Sequence, residues 1–193
     1  MGTIVLRRGV ELSNPLLAAL EFLEAYGVGT PSSTPGSFDE DDLRRANRGG
    51  ARISAAEIER ILERRGKIER ALREIDPRAS LAGRSIPWPA LTRLFDAFAG
   101  IRGVGFSKMT KALHPKRPAL VPMLDSVVQA YLAVGDAPSS FGEHATELVR
   151  SYKRDLDANR SALRELRRAL ASRGHEVTEV RLLDILIWQA AAR

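Results

Sequence analysis

The chain has 193 residues, enough for one compact domain or two small lobes, and 44% of them are hydrophobic, which can fill a core. It contains no cysteine, which excludes disulfide bonds, cysteine nucleophiles and thiolate metal sites. The net charge is +6, and 25 of the 30 basic residues are arginine, the side chain best suited to bidentate contact with phosphate. A GC-rich bacterial genome produces the same arginine bias, so charge alone favours a nucleic-acid partner only slightly.

Two features of the chain bear on where the protein works. No run of about eighteen apolar residues occurs, so we expect no membrane span. The N-terminal residues 1–8 lack a long apolar segment, which argues against secretion. The sequence therefore predicts a cytoplasmic protein.

The first quarter of the chain contains signals for short helices. Ser13-Asn14-Pro15 places a cap residue before a proline and predicts the start of a helix that ends near Gly27. Gly27 to Gly36 is rich in Gly, Ser, Thr and Pro and predicts a mobile connection. The acidic run Asp39–Asp42 fits the first turn of a helix, where the dipole favours acids; a metal site is the alternative. Ser54 to Glu57 has the spacing of a capping box.

The middle of the chain predicts two helices joined by a tight turn. Apolar residues at helical spacing lie on both sides of Gly103-Val104-Gly105, a turn that larger side chains would obstruct. Such a hairpin exposes backbone N–H groups at the start of its second helix, where the dipole favours an anion such as phosphate. The apolar residues are Leu91, Leu94, Phe95 and Phe98 before the turn, and Phe106, Met109 and Leu113 after it.

This hairpin, followed by Val121-Pro122-Met123-Leu124-Asp125, resembles the helix-hairpin-helix DNA glycosylase superfamily, in particular its adenine-mismatch branch. Enzymes of that superfamily carry an essential aspartate after the second hairpin glycine, at the spacing that separates Gly105 from Asp125. The resemblance covers Leu91 to Leu132 and rests on the hairpin, the spacing and an aspartate at the start of a helix. A bacterial family of unknown function on the same fold is compatible with it.

The near absence of two-residue alternation predicts an all-α fold. The resemblance adds that this fold has two lobes with a cleft between them. Residues 38–118 would form the central helical lobe with the hairpin, and residues 1–30 plus 119–193 the second helical lobe. Asp125 would lie in the cleft, beside the hairpin.

The resemblance implies a monofunctional DNA glycosylase of base excision repair, which hydrolyses the N-glycosidic bond of a damaged, mispaired or modified base. Asp125 would be its catalytic carboxylate. Bifunctional members carry a lysine at the position of Ser107, and Lys108 points elsewhere because one helical step rotates a side chain by about 100°. We therefore expect no efficient Schiff-base lyase. The implied DNA contacts are Arg102, Gly103, Gly105, Ser107, Lys108, Lys111, Lys116 and Arg117.

The resemblance to this superfamily also bears on cofactors. The cysteine-bound iron–sulfur cluster of many superfamily members is excluded, and no other metal site is expected. In the superfamily, hairpin carbonyl oxygens can also hold a monovalent cation.

Structural alternatives stand beside each of these roles. Asp125 would serve equally well as the cap of a helix that starts at Ser126. Trp88 could stack on a base or anchor the core, and the core role is the commoner one. His114 is expected to form a hydrogen bond within its loop. Asp184, within an apolar helix, is expected to pair with Arg181, because a buried charge needs a partner.

The whole-protein alternatives are a non-catalytic DNA-binding helix-hairpin-helix protein and a helical protein-interaction domain.

Overall fold

The computed structural model describes residues 2–27, 34–132 and 140–191. Within these ranges the chain forms ten α-helices, two short 3-10 helices and one two-stranded antiparallel sheet, which confirms the prediction of an all-α fold. The elements are β1 (Ile4–Val5), β2 (Glu11–Leu12), α1 (Pro15–Tyr26), α2 (Glu40–Arg48), α3 (Ala55–Glu63), α4 (Arg65–Arg73), α5 (Trp88–Asp96), α6 (Phe106–Leu113), α7 (Ser126–Leu132), α8 (Phe141–Ala158), α9 (Arg160–Ala171) and α10 (Glu179–Ala191), with 3-10 turns at Arg7–Gly9 and His114–Lys116.

The described helices include none that is both long and apolar enough to cross a membrane. The connection predicted over Gly27 to Gly36 falls largely on residues 28–33, which lie outside the described residues.

Short polar side chains define where several helices begin. Asn14 caps α1 by accepting a backbone N–H at 3.2 Å, and Pro15 takes the first helical position, as predicted. The predicted capping box of Ser54 and Glu57 starts α3. A second box starts α2, where each side chain of the Asp39–Asp42 pair accepts the other residue's N–H. The acidic run therefore caps a helix, as the dipole argument predicted.

One hydrophobic core extends through both predicted lobes. The apolar helix α10 packs against α1, α7, α8 and α9, and the most extensive helix pair joins α5 to α8. Gly142 allows that close approach, because a β-carbon there would overlap the Thr92 carbonyl oxygen and the Asp96 carboxylate. The Asp96 carboxylate accepts the Gly142 N–H at 2.6 Å. The division into two lobes stays a prediction, and α5 and α8 pack across its boundary.

The basic segment after α6 is buried rather than exposed. The relative exposure of Lys116 is 2% and that of Arg117 is 1%. Lys116 Nζ lies 2.7 Å from Asp42 Oδ2, in an ion pair within the protein. The prediction that Lys116 and Arg117 contact DNA phosphates was wrong, because both charged groups are enclosed by their own chain.

The guanidinium of Arg117 connects its own loop to two other segments of the chain. It donates to the carbonyl oxygen of Pro35 at 2.8 Å, to that of Leu72 at 2.6 Å and to that of Ile75 at 2.9 Å. Because carbonyl groups in a core need donors, one side chain satisfies three of them at once. Arg117 is thus a structural anchor.

Replacing Arg117 by methionine is expected to lower the free energy of unfolding by about 3 kcal/mol or more, because the three carbonyl groups lose their charged donor while staying buried. The measurement is equilibrium unfolding in urea. Arg84→Met, at an exposed position, is the matched control and should change stability by less than about 0.5 kcal/mol. Equal unfolding free energies for the two variants would show that Arg117 anchors nothing.

Candidate functional site

The two helices predicted on either side of the glycine turn are present as α5 and α6, joined by a turn over residues 97–105. Gly100 and Gly103 adopt left-handed backbone angles, with φ of +74° and +84°. A β-carbon on Gly103 would overlap the Glu57 carboxylate, so glycine is required there for space as well as for conformation. Gly105 has φ of −95° and open space around it. The prediction that larger side chains would obstruct the turn is therefore confirmed at Gly103 and wrong at Gly105.

The start of α6 differs from the starts of α2, α3 and α8. Those three helices have capping boxes, whereas no side chain caps α6 and its first turn carries no acid. The first N–H groups of a helix have no partner within the helix, and the dipole makes this end positive. The N-terminus of α6, with Gly105 as its cap residue, can therefore receive an anion.

An ion pair lies beside this helix start. Lys108 Nζ contacts Glu57 Oε1 at 2.6 Å and Oε2 at 2.7 Å. Burial opposes ionisation of Glu57, but the hydrogen bonds from Lys108 and from Ser54 bring its pKa below the ordinary value. Lys108 is thus held by an acid of α3, and the predicted phosphate contact through Lys108 would require breaking this pair.

The other predicted contact residues lie in different environments. Arg102 is exposed at the hairpin, and Ser107 is half-buried in the first turn of α6. Lys111 donates to the Gly50 carbonyl oxygen at 3.2 Å. Arg102 and Ser107 share the hairpin end of α6 with Gly103 and Gly105, whereas Lys111 lies more than one helical turn further on.

Trp88 starts α5 and is half-buried against the core. The Arg150 guanidinium lies over its ring, 4.2 Å from the centroid. Because one face of the indole is already covered, this contact favours the packing role of Trp88 over stacking on a base.

Hydrogen bonds hold the segment between α6 and Asp125 against α6. The Leu124 N–H donates to Thr110 Oγ1 at 2.9 Å, and His114 Nδ1 donates to the Val121 carbonyl oxygen at 2.7 Å. His114 is therefore the loop hydrogen-bonder that the sequence predicted, and burial lowers its pKa to about 4, so the ring is neutral. These bonds determine where Asp125 lies relative to the second hairpin helix.

Asp125 is half-buried at the start of α7. Its Oδ1 accepts the Val128 N–H at 3.0 Å, which is the bond of a helix cap. Its Oδ2 accepts the indole N–H of Trp188 at 3.2 Å. The carboxylate is thus neither sealed in the core nor free: each oxygen has one donor, and part of the group reaches the surface.

An aromatic cluster adjoins this carboxylate, and the sequence reading missed it. The rings of Phe22 and Tyr26 are 4.8 Å apart, and each lies 6.2 Å from the ring of Trp188. Tyr26 is 67% exposed and Trp188 is 38% exposed. The four-residue spacing of Phe22 and Tyr26 places them on one helix face, but Trp188 reaches them only through the packing of α10 on α1.

A second carboxyl group, Asp184, lies buried near Asp125. It accepts the Met123 N–H at 3.2 Å through Oδ2, while Oδ1 has no hydrogen-bond partner. Burial raises the pKa of Asp184 to about 7, and the charge of Asp125 adds to the effect.

Asp184 and Arg181 do not form the expected direct ion pair, although the charge of Arg181 lowers the pKa of Asp184 and so opposes the effect of burial. Arg181 Nη1 contacts the Met123 sulfur at 3.3 Å instead, and its guanidinium lies 5.2 Å from the Phe22 ring centroid. Burial that favours the neutral acid explains how Asp184 persists without a direct ion pair.

Comparison with known proteins gives a family but no activity. A family model described as "Family of unknown function (DUF6308)" matches residues 17–191, so the chain belongs to that family. No curated protein matches the chain. No solved structure matches it either.

Asp184→Asn is expected to change how stability depends on pH. The wild-type carboxyl has a pKa of about 7 when folded and 3.8 as a reference, so between these values the folded state binds more protons than the unfolded state. The free energy of unfolding therefore falls as pH rises from 4 to 7, by up to about 4 kcal/mol from this group, and levels off above. Asparagine does not ionise, so this decrease in the free energy of unfolding is absent from the variant.

Urea unfolding of both proteins at pH 4.5, 6 and 8 measures the effect as the variant's stability minus that of the wild type. That difference should rise with pH, and the contribution of His114 cancels because both proteins carry it. Asp41→Asn, at an exposed position, should leave the difference constant. A constant difference for Asp184→Asn would mean that this carboxyl is ionised in the fold at every pH tested.

Proposed function

We propose that this member of the DUF6308 family is a monofunctional DNA glycosylase-like protein, which binds DNA at the hairpin and excises a damaged, mispaired or modified base. The observation that carries the proposal is a turn that leads into an uncapped helix N-terminus, with a half-buried aspartate that directly follows Leu124, a residue hydrogen-bonded to the same helix. The N-terminus of α6 supplies phosphate-binding N–H groups, and Asp125 supplies a carboxylate.

The chemistry places Asp125 beside the sugar of the target nucleotide. As the base departs, positive charge develops on the sugar, and a carboxylate close to it stabilises that charge and orients a water molecule. The target nucleotide must first leave the base stack. The Val128 N–H and the Trp188 indole N–H hold the Asp125 carboxylate in one orientation. The exposed ring of Tyr26 offers an adjacent surface on which a base can stack.

Hydrolysis by water, without a covalent lysine intermediate, fits the residues beside the hairpin. Ser107 occupies the position of the nucleophilic lysine of bifunctional members. The neighbouring Lys108 is paired with both oxygens of Glu57, so its amine is engaged within the protein and not free to attack a sugar.

A non-catalytic DNA-binding protein is the second candidate. It is favoured by the hydrogen bonds of Asp125, since both oxygens already have donors within the protein and the carboxylate fulfils a capping role.

Asp125→Asn separates the two candidates. Wild-type protein should create abasic sites in duplexes that carry a mispaired or damaged base, and the variant should lose this activity by about a hundredfold or more, since a neutral amide stabilises no cation. Asparagine caps helices as well as aspartate does, so the variant should fold and bind DNA with unchanged affinity. Alkali cleavage of labelled duplexes measures excision, and fluorescence anisotropy at several salt concentrations measures binding.

Asp41→Asn serves again as the control and should keep full activity. Salt-dependent binding by wild type without excision of any tested base would establish the second candidate. Absence of salt-dependent binding would exclude both and leave a helical protein-interaction domain.

Borohydride reduction offers an independent test of the hydrolytic route. No covalent protein–DNA adduct should form when wild-type protein acts on a duplex containing an abasic site, because Lys108 stays paired with Glu57. Denaturing gel electrophoresis detects such adducts. An adduct that disappears in Lys108→Gln but persists in Lys67→Gln would contradict the monofunctional assignment.

A further inference from the structure

A concave pocket of about 340 Å³ opens on the part of the surface where the N-terminal helix, the central helices and the last helix meet. Its walls come from the end of α1, the last turn of α2, the middle of α6, the His114–Lys116 turn, and the segment that leads into α10. Pockets of this volume take small molecules of about the size of a mononucleotide. Neither Asp125 nor the hairpin lines this pocket, so it is separate from the groups on which the proposed glycosidic chemistry depends.

The charge of the pocket lining is strongly unbalanced. Four basic side chains line it, and Glu176 is the one acid among the lining residues. His114 also lines it, but its pKa of about 4 leaves that ring neutral. The basic side chains are Arg45, Arg48, Lys111 and Arg181.

Two of these cations contact uncharged groups, and a third has only a long ion pair. Lys111 Nζ donates to the carbonyl oxygen of Gly50, and Arg181 Nη1 contacts a methionine sulfur. Arg45 Nη1 lies 3.9 Å from Asp42 Oδ1, too far for a hydrogen bond. Both Arg45 Nη1 and Arg181 Nε are buried without any hydrogen-bond partner.

A buried guanidinium nitrogen without an acceptor lowers the stability of the folded protein unless a ligand accepts its hydrogen bond. An anion with several acceptor oxygens, which can accept from more than one guanidinium at once, satisfies that need, and phosphate has this geometry. The ring of Tyr26, 67% exposed at one edge of the pocket, adds a flat apolar surface.

We propose that this pocket binds a phosphorylated small molecule with a planar ring, of the size and chemistry of a nucleoside monophosphate. The four basic side chains receive the phosphate, and Tyr26 packs against the ring. Binding at this pocket requires neither the hairpin nor a DNA duplex, although the ring of Tyr26 takes part in both proposals.

Isothermal titration calorimetry with the full chain at constant ionic strength tests the proposal with three probes: adenosine 5′-monophosphate, inorganic phosphate and adenosine. The monophosphate should bind saturably and more tightly than inorganic phosphate, and adenosine should bind weakest. Arg48→Gln combined with Lys111→Gln should weaken binding of the monophosphate by about tenfold or more, because two positive charges leave the pocket.

A charge-matched control removes two exposed arginines elsewhere, Arg60→Gln with Arg168→Gln, and should keep the affinity within about twofold of wild type. Equal weakening in both double variants would mean attraction by overall charge and would overturn the pocket assignment. No saturable binding of either phosphate probe would overturn it as well.

Two further outcomes are decisive. A monophosphate that binds no tighter than inorganic phosphate would overturn the role of Tyr26. The variant that combines Arg48→Gln with Lys111→Gln has a fallback if it does not fold. Arg48→Gln alone, at an exposed position, should then weaken binding of the monophosphate by about threefold. Unchanged affinity would overturn the proposal. The excision assay on Asp125 has a separate outcome, so failure of either proposal leaves the other to be judged by itself.

Discussion

The buried guanidinium of Arg117 is the interaction on which the arrangement of the candidate site depends. It binds carbonyl oxygens of segments that lie 42 to 82 residues away along the chain, and it sits at the start of the loop that leads to Asp125. With this anchor at one end and the Thr110–Leu124 hydrogen bond at the other, the loop has little freedom. The position of the carboxylate relative to the hairpin helix is therefore set by buried contacts at both ends of the loop, not by a surface contact.

Arginine and lysine play three physical roles in this protein. Some are structural and buried, as Lys116 and Arg117 are. Others are neutralised by acids of neighbouring elements, as Lys108 is by Glu57. A third group is accessible, at the pocket as Arg48 is or elsewhere on the surface as Arg102 is. The buried and paired residues are not available to a ligand, so the excess of basic residues in the sequence overstates the charge available for binding DNA.

Asp125 and Asp184 show how environment separates two identical side chains. Asp125 is half-exposed, and each of its carboxylate oxygens has a donor. Asp184, buried and with one oxygen lacking a donor, has its pKa raised to about 7 by that burial. Pairs of acids with such different surroundings are a recurrent feature of sites that handle charge and protons. The two carboxyl groups are close enough for the charge of Asp125 to contribute to the raised pKa of Asp184.

The sequence by itself determined the local structure. Helix starts at Asn14 and Ser54, the helical fold class, and the two helices on either side of the glycine turn were all predictable, because caps, glycine turns and apolar spacing act over only a few residues. Burial and pairing were decided by the tertiary structure. Lys116 and Arg117 look like surface residues in a basic loop, and Asp184 looks like the partner of Arg181.

The burial and pairing of these residues depend on contacts with segments that are remote along the chain. Leu72 and Ile75 meet Arg117, and Trp188 meets Asp125 across 63 residues of chain. Such contacts depend on how helices pack in three dimensions, and no local pattern encodes them. The pocket with its unbalanced charge exists for the same reason, since its walls come from segments spread along nearly the whole chain.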